Sequence, residues 1–234
     1  MHTVGDGSPG IYSTGDINVS DATLTATGSE AAVVEGKNTI TLNNTTLSGA
    51  KKQGVMLYQS FSGNAEVGTS KFTMNGGSLT AEEGPLFYVT NTESIIKLNN
   101  AKLQQNSGIL LNVGAGIWGN QGANGATVEF NVQNQLLDGD IVCDAISNVQ
   151  LILQQNSKLN GSINKENTAK SLSLTLDKTS SWNVTANSYL TTLTTADSTL
   201  SNITDNGFTI YYDANNIANQ WLENNTYILR DGAN

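Results

Sequence analysis

Asp138, Asp140 and Asp144 fall within one short stretch, Asp138-Gly-Asp140-Ile-Val-Cys-Asp144. Clustered carboxylates suit calcium, a hard cation that takes oxygen ligands. These three are therefore the candidate metal ligands, and calcium is the only cofactor the chain raises. Their spacing does not match an EF-hand loop, and a solvated turn between strands would use the same residues. Catalytic chemistry has less to work with. His2 is the sole histidine and is terminal, which excludes a His-dependent triad. A pectate-lyase-like reaction would need an arginine or lysine base near a calcium-binding carboxylate cluster, and the sole arginine, Arg230, lies in the terminal cap. Hydrolysis of glycosides would need paired carboxylates on one face. The acids instead sit in turns and insertions, at Asp16, Asp21, Glu30, Glu35, Glu82 and Glu83. Cys143 is single, so there is no intrachain disulfide, and within Asp140-Ile-Val-Cys143 it reads as a small buried hydrophobe. A non-catalytic chain is expected.

Binding chemistry is better represented. Trp118 stands inside Gly114-Ala-Gly-Ile-Trp-Gly-Asn-Gln-Gly-Ala-Asn-Gly125, and Phe61 follows Tyr58 in a second polar stretch. Aromatic rings on loops, flanked by amides, are what a sugar- or protein-binding groove uses. Tyr58, Phe61, Trp118, Asn120 and Gln121 are the candidate ligand contacts. The alternative is that Trp118 folds back over the apolar flank as a lid.

What positions these residues is a repeat. Ile17-Asn-Val-Ser-Asp-Ala-Thr-Leu24, Ile40-Thr-Leu-Asn-Asn-Thr-Thr-Leu47, Phe72-Thr-Met-Asn-Gly-Gly-Ser-Leu79 and Ile96-Lys-Leu-Asn-Asn-Ala-Lys-Leu103 align without a gap. Phe130 to Leu137 is a weaker copy, and Leu151 to Leu159 and Leu174 to Trp182 carry one extra turn residue. Apolar residues two apart enter one core from a strand. The Asn/Gly pair that follows tolerates positive φ and bends the chain. The next Leu points inward again. After a further turn comes a third apolar strand: Ala31-Ala-Val-Val34, Val55-Met-Leu57, Leu86-Phe-Tyr88 or Ile109-Leu-Leu111. Three short strands bent around one interior make one coil of a parallel β-helix.

Starts at 17, 40, 72, 96, 130, 151 and 174 give steps of 23, 32, 24, 34, 21 and 23. The fold class expected is all-β: a single-stranded parallel β-helix of about eight coils, each of 21–24 residues, with two loop insertions. Right-handedness follows from the general rule for parallel crossovers. The insertions, Tyr58 to Thr69 and Asn112 to Ala126, leave after the same strand of coils two apart. They should emerge from one edge, roughly 10 Å apart along the axis. Coils are expected over 1–185, with 186–234 a degenerate last coil and C-terminal cap of the same domain. Within that tail Phe208–Asp213 reads as a strand, Asn216–Leu222 as a helical turn and Thr226–Leu229 as a last strand. Gly10-Ile-Tyr12 reads as the third strand of a coil that has no helical cap before it.

Charged residues are 13% of the chain, about half the usual share, with 20 acids against 11 bases. The bases are scattered, which argues against nucleic acid and against an anionic membrane surface. No apolar run is long enough to span a bilayer, so membrane insertion is not expected. The coil pattern over about 17–185, with the tail Leu174 to Asp213, resembles bacterial β-helix surface proteins of the adhesin and autotransporter-passenger kind. That resemblance implies a secreted or cell-surface, non-catalytic protein. Its partner would be a polysaccharide, a surface glycan or a protein surface. A structural stalk or filament subunit that associates end to end is the alternative, and a polysaccharide lyase a third reading.

Overall fold

The computed structural model describes residues 1–61, 63 and 65–222 and the backbone of Leu229–Asp231. It is a parallel β-helix of about nine turns. Every strand pairing among the described residues is parallel, and the strands form three faces. The first face is an eight-stranded sheet that begins Asp16–Ser20, Thr39–Asn43, Ser70–Asn75 and ends with Thr192–Thr195. The second face holds Ile11–Ser13, Ala32–Glu35, Val55–Tyr58, Phe87–Thr90, Ile109–Val113 and Asp140–Cys143. It continues through the Ile141–Ile163 bridge towards Ser188–Leu190, Ile210–Tyr212 and Leu229–Asp231. The third face is split into a five-stranded sheet, His2–Thr3 to Lys102–Gln105, and a four-stranded one, Leu136–Asp138 to Ile203–Thr204.

The repeat alignment is the strand register. Ile17, Ile40, Phe72, Ile96, Phe130, Leu151 and Leu174 are successive Cα partners on the first face. Leu24, Leu47, Leu79 and Leu103 stack likewise on the third. Side chains alternate in and out along each strand, so these columns fill one continuous interior. Phe87 enters it from the second face between Phe72 and Phe130, with ring centroids 5.8 and 5.6 Å away.

The corner after the first face has a fixed backbone. Asp21, Asn44, Gly76, Asn100, Asn134 and Gln155 each follow a first-face strand, and all have positive φ, between 44° and 66°. Asn and Asp tolerate that conformation better than other non-glycine residues, and at this corner they also bond from coil to coil, as Asn44 does by donating to Asp21 one coil away at 2.8 Å. The residue after the bend turns inward. Gly77 stands at that position, and a Cβ there would lie 2.1 Å from the Thr45 carbonyl oxygen. Gln135 fills the same position where the third face is broken. Its amide accepts from the Ala101 N–H at 2.9 Å and donates to the Ala101 carbonyl at 2.6 Å. A buried side chain thus replaces the missing backbone pairing.

Regular coils run further than 185. Ser188–Leu190 pairs with Ile210–Tyr212, which pairs with Leu229–Asp231. Of the expected tail strand, residues 226–228 lie outside the described residues. Residues Ile217–Leu222 form a short 3-10 helix that closes the edge of the last first-face strand. Asn219 bonds both Leu193 N and Thr191 O, and the Trp221 indole N–H donates to Leu193 O. Open strand edges invite further pairing, and these contacts occupy this one.

Two glycines separate the effect of the bend from that of packing. Gly122→Ala, at φ 84° with open space around it, should cost about 1 kcal/mol, the left-handed penalty alone. Gly77→Ala adds a backbone clash and should cost about 3 kcal/mol. Urea unfolding of both variants checks this; equal midpoints would mean that the stacked corners are not close-packed.

Candidate functional site

Both insertions leave the second face at the same corner, as their positions in the repeat require. Residues 59–69 follow Val55–Tyr58 and residues 114–126 follow Ile109–Val113, with Phe87–Thr90 the single strand between. The second insertion folds back along the axis, so the two meet. The Trp118 ring lies 5.1 Å from Tyr58 and 5.8 Å from Phe61, tilted against both. Tyr58 is buried beneath it, at 6% exposure, while Phe61 stays 63% exposed. Trp118 is therefore a lid over Tyr58 and, at the same time, the wall of a groove of about 490 Å³ on the outer second face.

The glycines of the second insertion let it lie down. A Cβ on Gly116 would be 2.5 Å from the Tyr88 hydroxyl, and one on Gly119 would be 2.2 Å from the Asn91 amide oxygen. Asn124, itself buried, donates to the carbonyls of Gly116 at 2.8 Å and Trp118 at 2.9 Å. Asp144 accepts from the Ala115 N–H at 2.6 Å. The first insertion is held by Lys37 N–H to Glu66 O, at 2.7 Å, and by Asn91 donating to Gln59 O at 2.8 Å.

The groove floor is an outward column of Tyr12, Val33, Met56 and Tyr88, successive partners on neighbouring strands. On the first face the equivalent column is polar: Asn18, Thr41, Thr73. The second-face strands read as apolar runs with no alternation, which signals a strand covered on both sides. Those runs were visible in the sequence, and this is the signal that would have identified Tyr12 and Tyr88.

Polar groups rim the floor. Glu30, buried at the corner before Ala32, accepts from Ser29 Oγ and from Gln53 Nε2 at 3.2 Å, and Lys52 Nζ lies 3.6 Å away. Behind the groove Glu35 accepts from Tyr12 OH and Ser60 Oγ, and the Tyr12 and Tyr58 hydroxyls are 2.7 Å apart. Burial, chiefly, raises the pKa of both phenols above their ordinary value, so both stay protonated hydrogen-bonding groups.

The remaining predicted contacts lie elsewhere. Asn120 and Gln121 are exposed at the tip of the second insertion, and neither borders the groove. A wider depression of about 780 Å³ between the insertions is lined mostly by small or polar residues, with Val67 and Ile146 and without an aromatic ring.

Asp138, Asp140 and Asp144 do not converge. Gly139 is a corner, so Asp138 ends a third-face strand and Asp140 begins a second-face one. Asp138 accepts from Asn160 at 2.6 Å, the first rung of an outward amide ladder that continues through Asn183 and Asn206. Asp140 accepts from the Ser162 N–H and pairs with Lys165, both at 2.9 Å. Burial would raise its pKa, but these bonds outweigh it and hold the carboxyl below its ordinary value. Asp144 holds the second insertion. Among the described residues no three acid, His or Cys side chains are placed to share a metal ion. Cys143 is buried, and desolvation, then the Asp144 charge, pushes its thiol up to about 12.

Comparison with protein-family models, with curated proteins and with solved structures finds no match. The parallel β-helix by itself names no family.

Asn124 tests how the wall is held. Asn124→Ala removes two bonds to loop carbonyls, worth about 1–3 kcal/mol locally. Hydrogen exchange at 114–123 should accelerate by an order of magnitude or more while circular dichroism stays unchanged. Unaltered exchange would show that the glycine contacts alone hold the insertion.

Proposed function

We propose that the chain is a non-catalytic, extracellular binding module of adhesin type, and that it takes a glycan into the groove beside Trp118. The observation that carries this reading is the convergence of the two insertions. They set Trp118 against Tyr58 and Phe61 and turn an apolar strip of the second face into a concave site. Ligand sites of about 300–1,000 Å³ with an apolar lining and few polar groups are the common form. Sugars present apolar C–H faces that pack on aromatic rings and hydroxyls that bond to a polar rim, and both surfaces are here. The non-catalytic part is supported by the rim. Glu30 is the one acid among the groove-lining residues and already has three partners, whereas glycoside hydrolysis works with two carboxylates. Among the described residues no helix is long and apolar enough to cross a membrane.

Purified protein would be screened against insoluble polysaccharides and a glycan array, with and without EDTA. Trp118→Ala should weaken binding by about tenfold or more, the value of one aromatic contact with its buried area. Phe61→Ala, which removes only the ring behind Trp118, should weaken it a few-fold. EDTA should change nothing, because no metal enters the proposed contact. Undiminished binding by Trp118→Ala would remove the groove from the account, and absence of any glycan binding would overturn the module.

A further inference from the structure

We infer that the groove takes a neutral, linear, β-linked glycan lying parallel to the axis of the β-helix, with about three sugar units in contact. This rests on the reading of the groove as a glycan site.

The direction comes from the floor and the walls. Tyr12, Val33, Met56 and Tyr88 stand in register on four successive strands, so the floor runs along the axis for about 14 Å. Trp118 and Ile117 border one side, because the second insertion folds back across two strands towards Tyr58. Glu30, Lys52 and Gln53 border the other, at the corner that precedes the strands. A ligand crossing the axis would meet a wall on each side.

The linkage comes from the repeat of the floor. An extended β-linked chain advances per sugar by a step close to the spacing of stacked strands, roughly 5 Å. One sugar per strand step sets about three rings along the apolar floor and brings their hydroxyls to the rim. A coiled, α-linked chain loses that register after one unit.

The charge comes from the rim. Lys52 is the one cation lining the groove, and it lies 3.6 Å from Glu30. The chain as a whole carries a net charge of −9. A uronic acid polymer would find no unengaged cation there and a repulsive field outside. An extended peptide is disfavoured for a different reason. The floor strands use their backbone N–H and C=O groups in the parallel ladder, so the groove offers a peptide backbone only side chains.

Calorimetric titration with β-1,4-linked manno-oligosaccharides of one to six units, and with β-1,4-linked oligomannuronates of the same lengths, tests this. The two series share linkage and ring geometry and differ in charge. Cello-oligosaccharides extend the neutral series. Affinity for a neutral series should rise at least tenfold from one unit to three and change less than twofold from three to six. The oligomannuronates should bind at least tenfold more weakly at low salt. Tyr88→Ala, which removes one end of the floor, should move the plateau from three units to two. Binding that depends on Trp118 but is independent of length, or that favours the acidic series, overturns this inference and leaves the groove reading standing. Length-dependent binding that Trp118→Ala does not weaken overturns the groove reading itself.

Discussion

The structure depends on the parallel hydrogen-bond ladder that ties each strand to the equivalent strand one coil away. A single coil of three short strands has no enclosed interior. It acquires one only when neighbours above and below stack in register, which makes stability a property of adjacent pairs. The ladder therefore dictates what each position can be. A residue pointing inward joins a column, and its size must suit the residues directly above and below it. Phe72 and Phe130 enter from the first face two coils apart, and Phe87 enters between them from the second face, so that the rings interleave instead of competing for one level. The bend after the first face must also repeat, because a coil that turned elsewhere would lose the pairing on the next face. Six successive left-handed residues at that corner are the backbone's answer, three of them Asn.

The same constraint explains why function sits in insertions. Within a coil each residue is committed to a column, whereas a corner can lengthen without disturbing the ladder if the chain returns to register. Ser70 and Thr127 do return: Ser94 pairs with Ser70, and Glu93 with Thr127. Two corners lengthened at the same point of the coil emerge on the same side of the molecule. Their separation, two strand steps, is short enough for one to fold back onto the other. The groove is thus a consequence of where the repeat can accept extra chain, and its floor is the apolar stretch of the second face's outward column from Tyr12 to Tyr88.

Most of the fold was legible because the repeat writes its register directly into the sequence. The alignment of Ile17, Ile40, Phe72 and Ile96 required no structure, and neither did the common edge of the two insertions. Three things were harder to see. Asp138, Asp140 and Asp144 are close in sequence, yet a β-helix corner between them sends their side chains to different neighbours, so sequence proximity misleads. Asn120 and Gln121 flank Trp118 along the chain, but the loop turns at Gly119 and Gly122 and carries them to its tip. Tyr12 and Tyr88 stand in the sequence as parts of apolar strands. Their outward direction follows from the two-residue period, and the apolar or aromatic residues at that phase from Tyr12 to Tyr88, where the first face carries Asn or Thr, were the available signal.

A glycine-rich loop is commonly read as a mobile one, and the second insertion shows why composition alone does not decide. Glycine removes the side chain that would hold a backbone away from its neighbour. At Gly116 and Gly119 that lets the loop rest against Tyr88 and Asn91, close enough that a Cβ would collide. The few side chains the loop retains are then free to serve other ends: Asn124 to bond its own carbonyls, Trp118 to cover Tyr58 and face the groove. Binding to such a wall loses less conformational entropy than closing a flexible one. The close approach also couples the site to the coil beneath it. Asp144, which holds Ala115, follows the strand Asp140–Cys143, whose partner Ile109–Val113 carries the insertion. The position of Trp118 is in this way referred to the ladder itself, and the groove inherits the regular spacing of the strands that form its floor.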